Sequence, residues 1–152
     1  MPTTLTPVFE TLAQLFRSCD QDYALLKDQT IDSAWLDDYA NQRIVNSFLF
    51  NYIKIQDKFG AGLFRKLLVA LREIDHENVP MIDILHLLEK LEIIDSTEAW
   101  DRLREICNVI AHEYPSDVSE RLENLALALR GYVQLKGLYA NVKRYAESKG
   151  VL

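Results

Sequence analysis

Apolar side chains recur every three or four residues over most of this chain, a period that predicts helices almost from end to end. Leu5, Val8, Phe9, Leu12, Leu15 and Phe16 open a first helix over residues 5 to about 27. Asp20 to Asp22 mark a place where it frays or bends before Tyr23, Leu25 and Leu26. After a polar turn, Asp28-Gln29-Thr30, the pattern resumes from about Asp32 through Trp35, Leu36, Tyr39, Ile44, Val45, Phe48, Leu49, Tyr52 and Ile53. This reads as one long helix ending near Lys58, with Gly60 as its stop.

Gly60-Ala61-Gly62 lacks the preceding strand and the Lys-Ser/Thr pair of a phosphate loop, so it reads as a helix–helix turn. Phe64, Leu67, Leu68 and Leu71 predict a third helix over Leu63 to Ile74, followed by a polar loop, Asp75 to Pro80. A strongly apolar fourth helix runs from about Met81 to Leu91. Asp95 with Glu98 three residues on matches a capping box at the start of the fifth. Ser116-Asp117 caps the sixth, with Glu120 in its first turn and with Gly131 and Gly137 as places where it bends or divides. No period-two strand pattern survives beside turn pairs. The expectation is an all-α fold, an antiparallel bundle of five to six helices, with residues 1–152 as a single helical domain.

Composition adds limits. A chain of 152 residues, 49% apolar and 26% charged, fits one globular domain. No apolar run approaches the ~18 residues of a membrane span. The first residues show no basic patch followed by an apolar core, and Cys19 and Cys107 form no disulfide framework, so a cytoplasmic location without membrane contact is expected. The net charge of −6 argues against coating nucleic acid through a bulk positive field, yet leaves room for a local basic groove. His76-Glu77 lacks a second histidine at metalloprotease spacing, and His86 among leucines reads as a core or boundary residue. No metal ion and no cofactor is expected.

Candidate chemistry concentrates at the end of the fifth helix, Leu103 to Pro115. At roughly 100° per residue, Leu103, Ile106, Cys107, Ile110 and Tyr114 share one face and point into the bundle. Asp101, Glu105, Asn108 and His112 share the opposite face, with Arg104 between the two. An accessible imidazole at His112, with Asn108 one turn earlier to hydrogen-bond it, has the chemistry of a general acid or base. The plain alternative is a surface histidine that only complements the helix dipole.

The run Cys107-Asn108-x-x-Ala111-His112-x-Tyr114, preceded by Leu103-Arg104-Glu105 and followed by Pro115, resembles the signature helix of the HEPN superfamily. The likeness is strongest to the HepT-like toxins and the related nucleotidyltransferase substrate-binding proteins. Arg43 to Phe48 and Tyr52 to Asp57 also look like the second helix of that group. The resemblance implies an all-α bundle that forms a homodimer and works with a minimal nucleotidyltransferase as antitoxin or partner subunit. It also implies a metal-independent ribonuclease built on an Arg-x4-6-His motif, often extended to His-x-Tyr. His112 then matches the family histidine, Tyr114 the tyrosine that the partner modifies with AMP, and Asn108 the polar residue after the arginine. The arginine position itself falls on Cys107. Arg102 and Arg104 lie ten and eight residues before His112, outside the family spacing.

Three readings follow. In the first the chain cuts tRNA or mRNA, with His112 as acid/base and Arg104 supplying the guanidinium that Cys107 lacks. Lys136, Lys143 and Arg144, or Lys54, Lys58, Arg65 and Lys66, then line an RNA path, unless they are simply solvated helix faces. In the second it is the non-catalytic substrate-binding or regulatory partner of a nucleotidyltransferase, with Tyr114 as the AMPylation site. In the third it dimerises and regulates without chemistry.

Overall fold

The computed structural model describes residues 5–112 and 117–152, with residues 111 and 112 described as backbone only. The first helix, α1 (Thr6–Leu26), buries Phe9, Leu12, Phe16, Cys19 and Leu26 along one stripe. Asp20 to Asp22 neither fray nor bend it, because neighbouring helices engage the acids. Asp20 accepts hydrogen bonds from Tyr132 and Lys136, and Asp22 accepts one from Ser47 at 2.6 Å.

The second predicted helix is divided at its start. Asp32 caps a short α2 (Ser33–Asp37) by accepting from the Trp35 N–H, and Asp38, in extended backbone, caps α3 (Tyr39–Asp57) by accepting from the Ala40 N–H. Two capping carboxylates six residues apart start two helices, since each competes with the helical ladder for a backbone donor.

The expected stop at Gly60 does not occur. The chain passes through a π-helical segment, Lys58–Leu63, directly into α4 (Phe64–Ala70). Gly60 keeps a negative φ, unlike a C-terminal cap glycine, and lies against Trp100. The wider turn brings Phe59, Leu63, Phe64, Leu67 and Leu68 all into the core. The rod ends instead at Arg72, where φ is 61° and the Glu73 N–H reaches back to the Leu68 carbonyl. The same closure recurs at Glu92 after α5 (Met81–Lys90) and at Gly150 after α7 (Val118–Ser148). Two of these three left-handed caps are therefore built without glycine.

Helix α6 (Thr97–His112) starts one residue later than its sequence signal. Ser96, not Asp95, supplies the cap, its Oγ accepting from the Ala99 N–H at 3.0 Å. At α7 the cap is Asp117, accepting from the Ser119 N–H; Ser116 lies outside the described residues. Gly131 and Gly137 do not divide α7, which runs unbroken for 31 residues.

Ring contacts fix how the rods run. Phe9 meets Tyr139 and Phe16 meets Tyr132, so α1 and α7 are antiparallel. Phe59 meets Tyr139 near the start of α1, while Cys19 donates weakly to the Phe48 carbonyl near its end, so α1 and α3 are antiparallel too. Phe59 also meets Trp100 at the start of α6, with Tyr52 and Ile106 both against Gly131 further along, which makes α3 and α6 antiparallel. Ala99 and Asn141 share one cavity and Ile110 and Asn124 another, so α6 and α7 run oppositely. The result is a four-rod antiparallel bundle of α1, α3–α4, α6 and α7. The diagonal pair α3 and α7 are parallel and touch where Phe48 meets Tyr132. With α3 to α4 counted as one rod, the described residues hold six helices and no strand. No helix among them is long and apolar enough to cross a membrane.

Candidate functional site

Helix α6 sorts its side chains as the 100° period predicts. Trp100, Leu103 and Cys107 are buried, Ile106 and Ile110 are half-buried, and Asp101, Arg102, Arg104, Glu105 and Asn108 are exposed. Cys107, at the family arginine position, is 3% exposed. Burial, with a smaller contribution from the Asp57 charge, pushes its thiol from an ordinary 9.0 up to about 12, so it stays neutral and unreactive near pH 7. Its neighbour Tyr52 is fully buried, and the phenol is pushed upward by the same desolvation. Position 107 faces the interior of the bundle, not a surface where a phosphate could sit.

Arg104 and Asn108, four residues apart, occupy one exposed strip. Arg104 lines an open cavity of about 290 Å³ between α3, the π-helical segment and α6, together with Gln56, Asp57, Gly60, Arg65 and Trp100. It makes no hydrogen bond or ion pair with any described residue, so its guanidinium is available to an incoming group. Arg65 is committed elsewhere, donating to the carbonyls of Glu77 and Val79 and so fastening the loop before α5 to α4. The backbone of His112 closes α6, and its side chain is outside the described part; Tyr114 and Pro115 also lie outside the described residues.

The predicted basic paths are largely spoken for. Lys136 pairs with Asp20 at 2.9 Å, Lys66 with Glu77 at 3.5 Å, and Arg144 donates to Asn141. Lys54 is not among these: it lies over the Phe50 ring and stays exposed. His86 is exposed, against the expectation of a core or boundary position, because α5 turns Ile84, Leu85 and Leu88 inward on the other side. His76 accepts from the Asn78 N–H through Nδ1 and so staples its loop. No group of three His, Cys, Asp or Glu that could hold a metal ion is found among the described residues.

Sequence reasoning did not bring Gln56 and Asp57 to Arg104. Their placement follows from the antiparallel pairing of α3 and α6, which sets Phe59 against Trp100 at the start of α6. Comparison with family models, curated proteins and solved structures finds no match for this chain.

Proposed function

We propose that this chain is a HEPN-like component of a toxin–antitoxin-type pair with a minimal nucleotidyltransferase, acting in the cytoplasm as a homodimer, with the outer strip of α6 as its working surface. The observation that supports this reading is the division of α6 itself. Arg104 and Asn108 face solvent on the helix that His112 closes, while Leu103 and Cys107 are sealed into the core. In the cutting reaction, the 2′-hydroxyl of RNA attacks the adjacent phosphorus and the 5′-oxygen leaves. His112 accepts or returns the proton, and Arg104 neutralises the charge that gathers on the phosphate oxygens. No metal ion takes part in that scheme.

A second reading, the non-catalytic partner of a nucleotidyltransferase, is favoured by Cys107. A neutral buried thiol has no fork of donors for a phosphate, and Arg104 is eight residues from His112. In this reading Tyr114 accepts AMP from the partner.

Cleavage of total tRNA separates the two, comparing the chain with His112→Ala and Arg104→Ala. Cutting that both substitutions abolish supports the enzyme. Cutting that survives His112→Ala removes the histidine from the mechanism. If none cuts, the tRNA-directed enzyme reading loses its support; on the second reading, incubation with the nucleotidyltransferase and ATP should add one AMP that Tyr114→Phe prevents. Cys107→Arg is a poor substitute for these variants, because it forces a guanidinium toward the core.

A further inference from the structure

The outer face of α3 carries a feature that the reading above does not use. Tyr39 is 73% exposed and Phe50 60% exposed, the two most open large apolar side chains among the described residues. They are eleven residues apart, which is about 20° around the helix and about 16 Å along it, so both rings stand on one stripe. A cation accompanies each ring: the Arg43 guanidinium lies 6.0 Å from the Tyr39 centroid, and the Lys54 ammonium 5.1 Å from that of Phe50. Exposed Asn46 stands between them on the same stripe.

The charge pattern is as unusual as the exposure. From residue 39 to residue 56 the chain has no Asp or Glu, although 23 acids in 152 residues would place about three in a stretch of that length. Of the acids bordering it, Asp38 caps α3, Asp22 accepts from Ser47, exposed Asp37 ends α2, and Asp57 closes α3 at the cavity that Arg104 also lines. An acidic protein thus keeps one long helix face free of acid and mounts two ring–cation pairs on it. A polyanion with flat apolar bases complements such a face: bases stack on the rings, and phosphates meet the cations. The rise of about 16 Å between the rings suits bases a few nucleotides apart on an extended strand.

We infer that the Tyr39–Arg43–Phe50–Lys54 face of α3 is a docking track for single-stranded RNA. The choice of RNA over DNA rests on the function proposed above; the stacking and charge complementarity do not. The end of the track at Asp57 adjoins the Arg104 cavity, so a strand on α3 leads toward the strip of α6.

The test is fluorescence anisotropy with a labelled twelve-residue oligouridine bearing 2′-O-methyl groups, which no 2′-hydroxyl attack can cut, and with the matching single-stranded DNA. The chain should bind the RNA analogue. Tyr39→Ala/Phe50→Ala should weaken that binding at least tenfold, while Arg43→Ala/Lys54→Ala should lower the slope of log affinity against log salt by about 1 to 2. Substituting exposed Ile82 and Val133, which lie on other helices, should change neither. All six positions are exposed, and circular dichroism of each variant reports its fold. Absence of binding by the unaltered chain, or equal binding by the aromatic variant, overturns the inference. So does an aromatic variant that alters only self-association or nucleotidyltransferase capture in sedimentation, since that marks a protein contact. Binding equally tight to DNA overturns the choice of RNA. Because the probe is uncuttable, loss of the track and loss of cleavage on tRNA are read separately.

Discussion

Two tyrosines in the bundle are buried to the same degree and treated in opposite ways. Tyr132, on α7, donates to Asp20 at 2.6 Å, with the Phe16 carbonyl also in reach at 3.3 Å, and Lys136 completes the cluster from the solvent side. Tyr52, on α3, faces the same helix one residue away, yet its hydroxyl finds no hydrogen-bond partner among the described residues. It is accommodated by absence of a side chain: a Cβ on Gly131 would lie 2.5 Å from that hydroxyl. One seam is held by a satisfied polar group. The other is held by close approach of two rods, with the polar atom as a cost. Leu103 and Ile106 of α6 border the same spot, so the site helix is seated there on shape rather than on hydrogen bonds.

Gly131→Ala should have the largest effect. The added methyl meets a ring locked in the core, with Ile106 and Leu103 also closer than 3.5 Å, and overpacking of this kind costs about 1–3 kcal/mol. Urea denaturation reads the loss, and Tyr52→Phe in the same background should recover part of it. A full additive loss would mean that the hydroxyl is not the obstacle.

Tyr132→Phe should come next, at about 1–2 kcal/mol, because it removes a hydrogen bond to a charged acceptor. Lys136 continues to pair with Asp20, which limits the damage. A third expectation concerns pH. Burial raises Cys19 and Cys107 from 9.0 to about 12 in the folded chain. Above pH ~9 the unfolded chain gives up thiol protons that the folded chain retains, so stability should fall as pH rises from there toward 12. Replacing Cys107 by Ser should flatten part of that fall in thermal scans. A midpoint that does not move with pH would show that neither thiol is shielded. Tyr52→Phe should be the smallest change, within about 0.5 kcal/mol of the original or slightly more stable, since it deletes an unpaired donor. A loss as large as that of Tyr132→Phe would erase the contrast between the two seams.

The contrast also shows what the chain discloses before it folds. The inward and outward sides of α6 follow from the 3.6-residue period alone, and Cys107 and Asn108 stand where that period puts them. Local caps were partly legible: Asp117 was in view, whereas Ser96 outcompeted Asp95, and the caps at Asp32 and Asp38 were not foreseen. What a single segment cannot carry is tertiary. Gly131 reads as a helix breaker until Tyr52 is brought against it, and Gly60 reads as a stop until Trp100 covers it. The meeting of Arg104 with Gln56 and Asp57 is likewise a product of rod pairing, invisible in either helix by itself.

The Lys58–Leu63 segment has a consequence for how the long rod tolerates change in length. A π turn closes five-residue steps where an α turn closes four, so it stores one surplus residue. Removing one residue there, for example Gly62, beside which a Cβ would meet nothing within 4 Å, would relax the segment to an α-helix and leave both halves of the rod in phase. The same deletion a turn or two away in α3 would rotate one half by about 100° and turn its leucines to water. The rod therefore carries its own slack at one point, and a shortened relative of this protein would be expected to have lost its residue there.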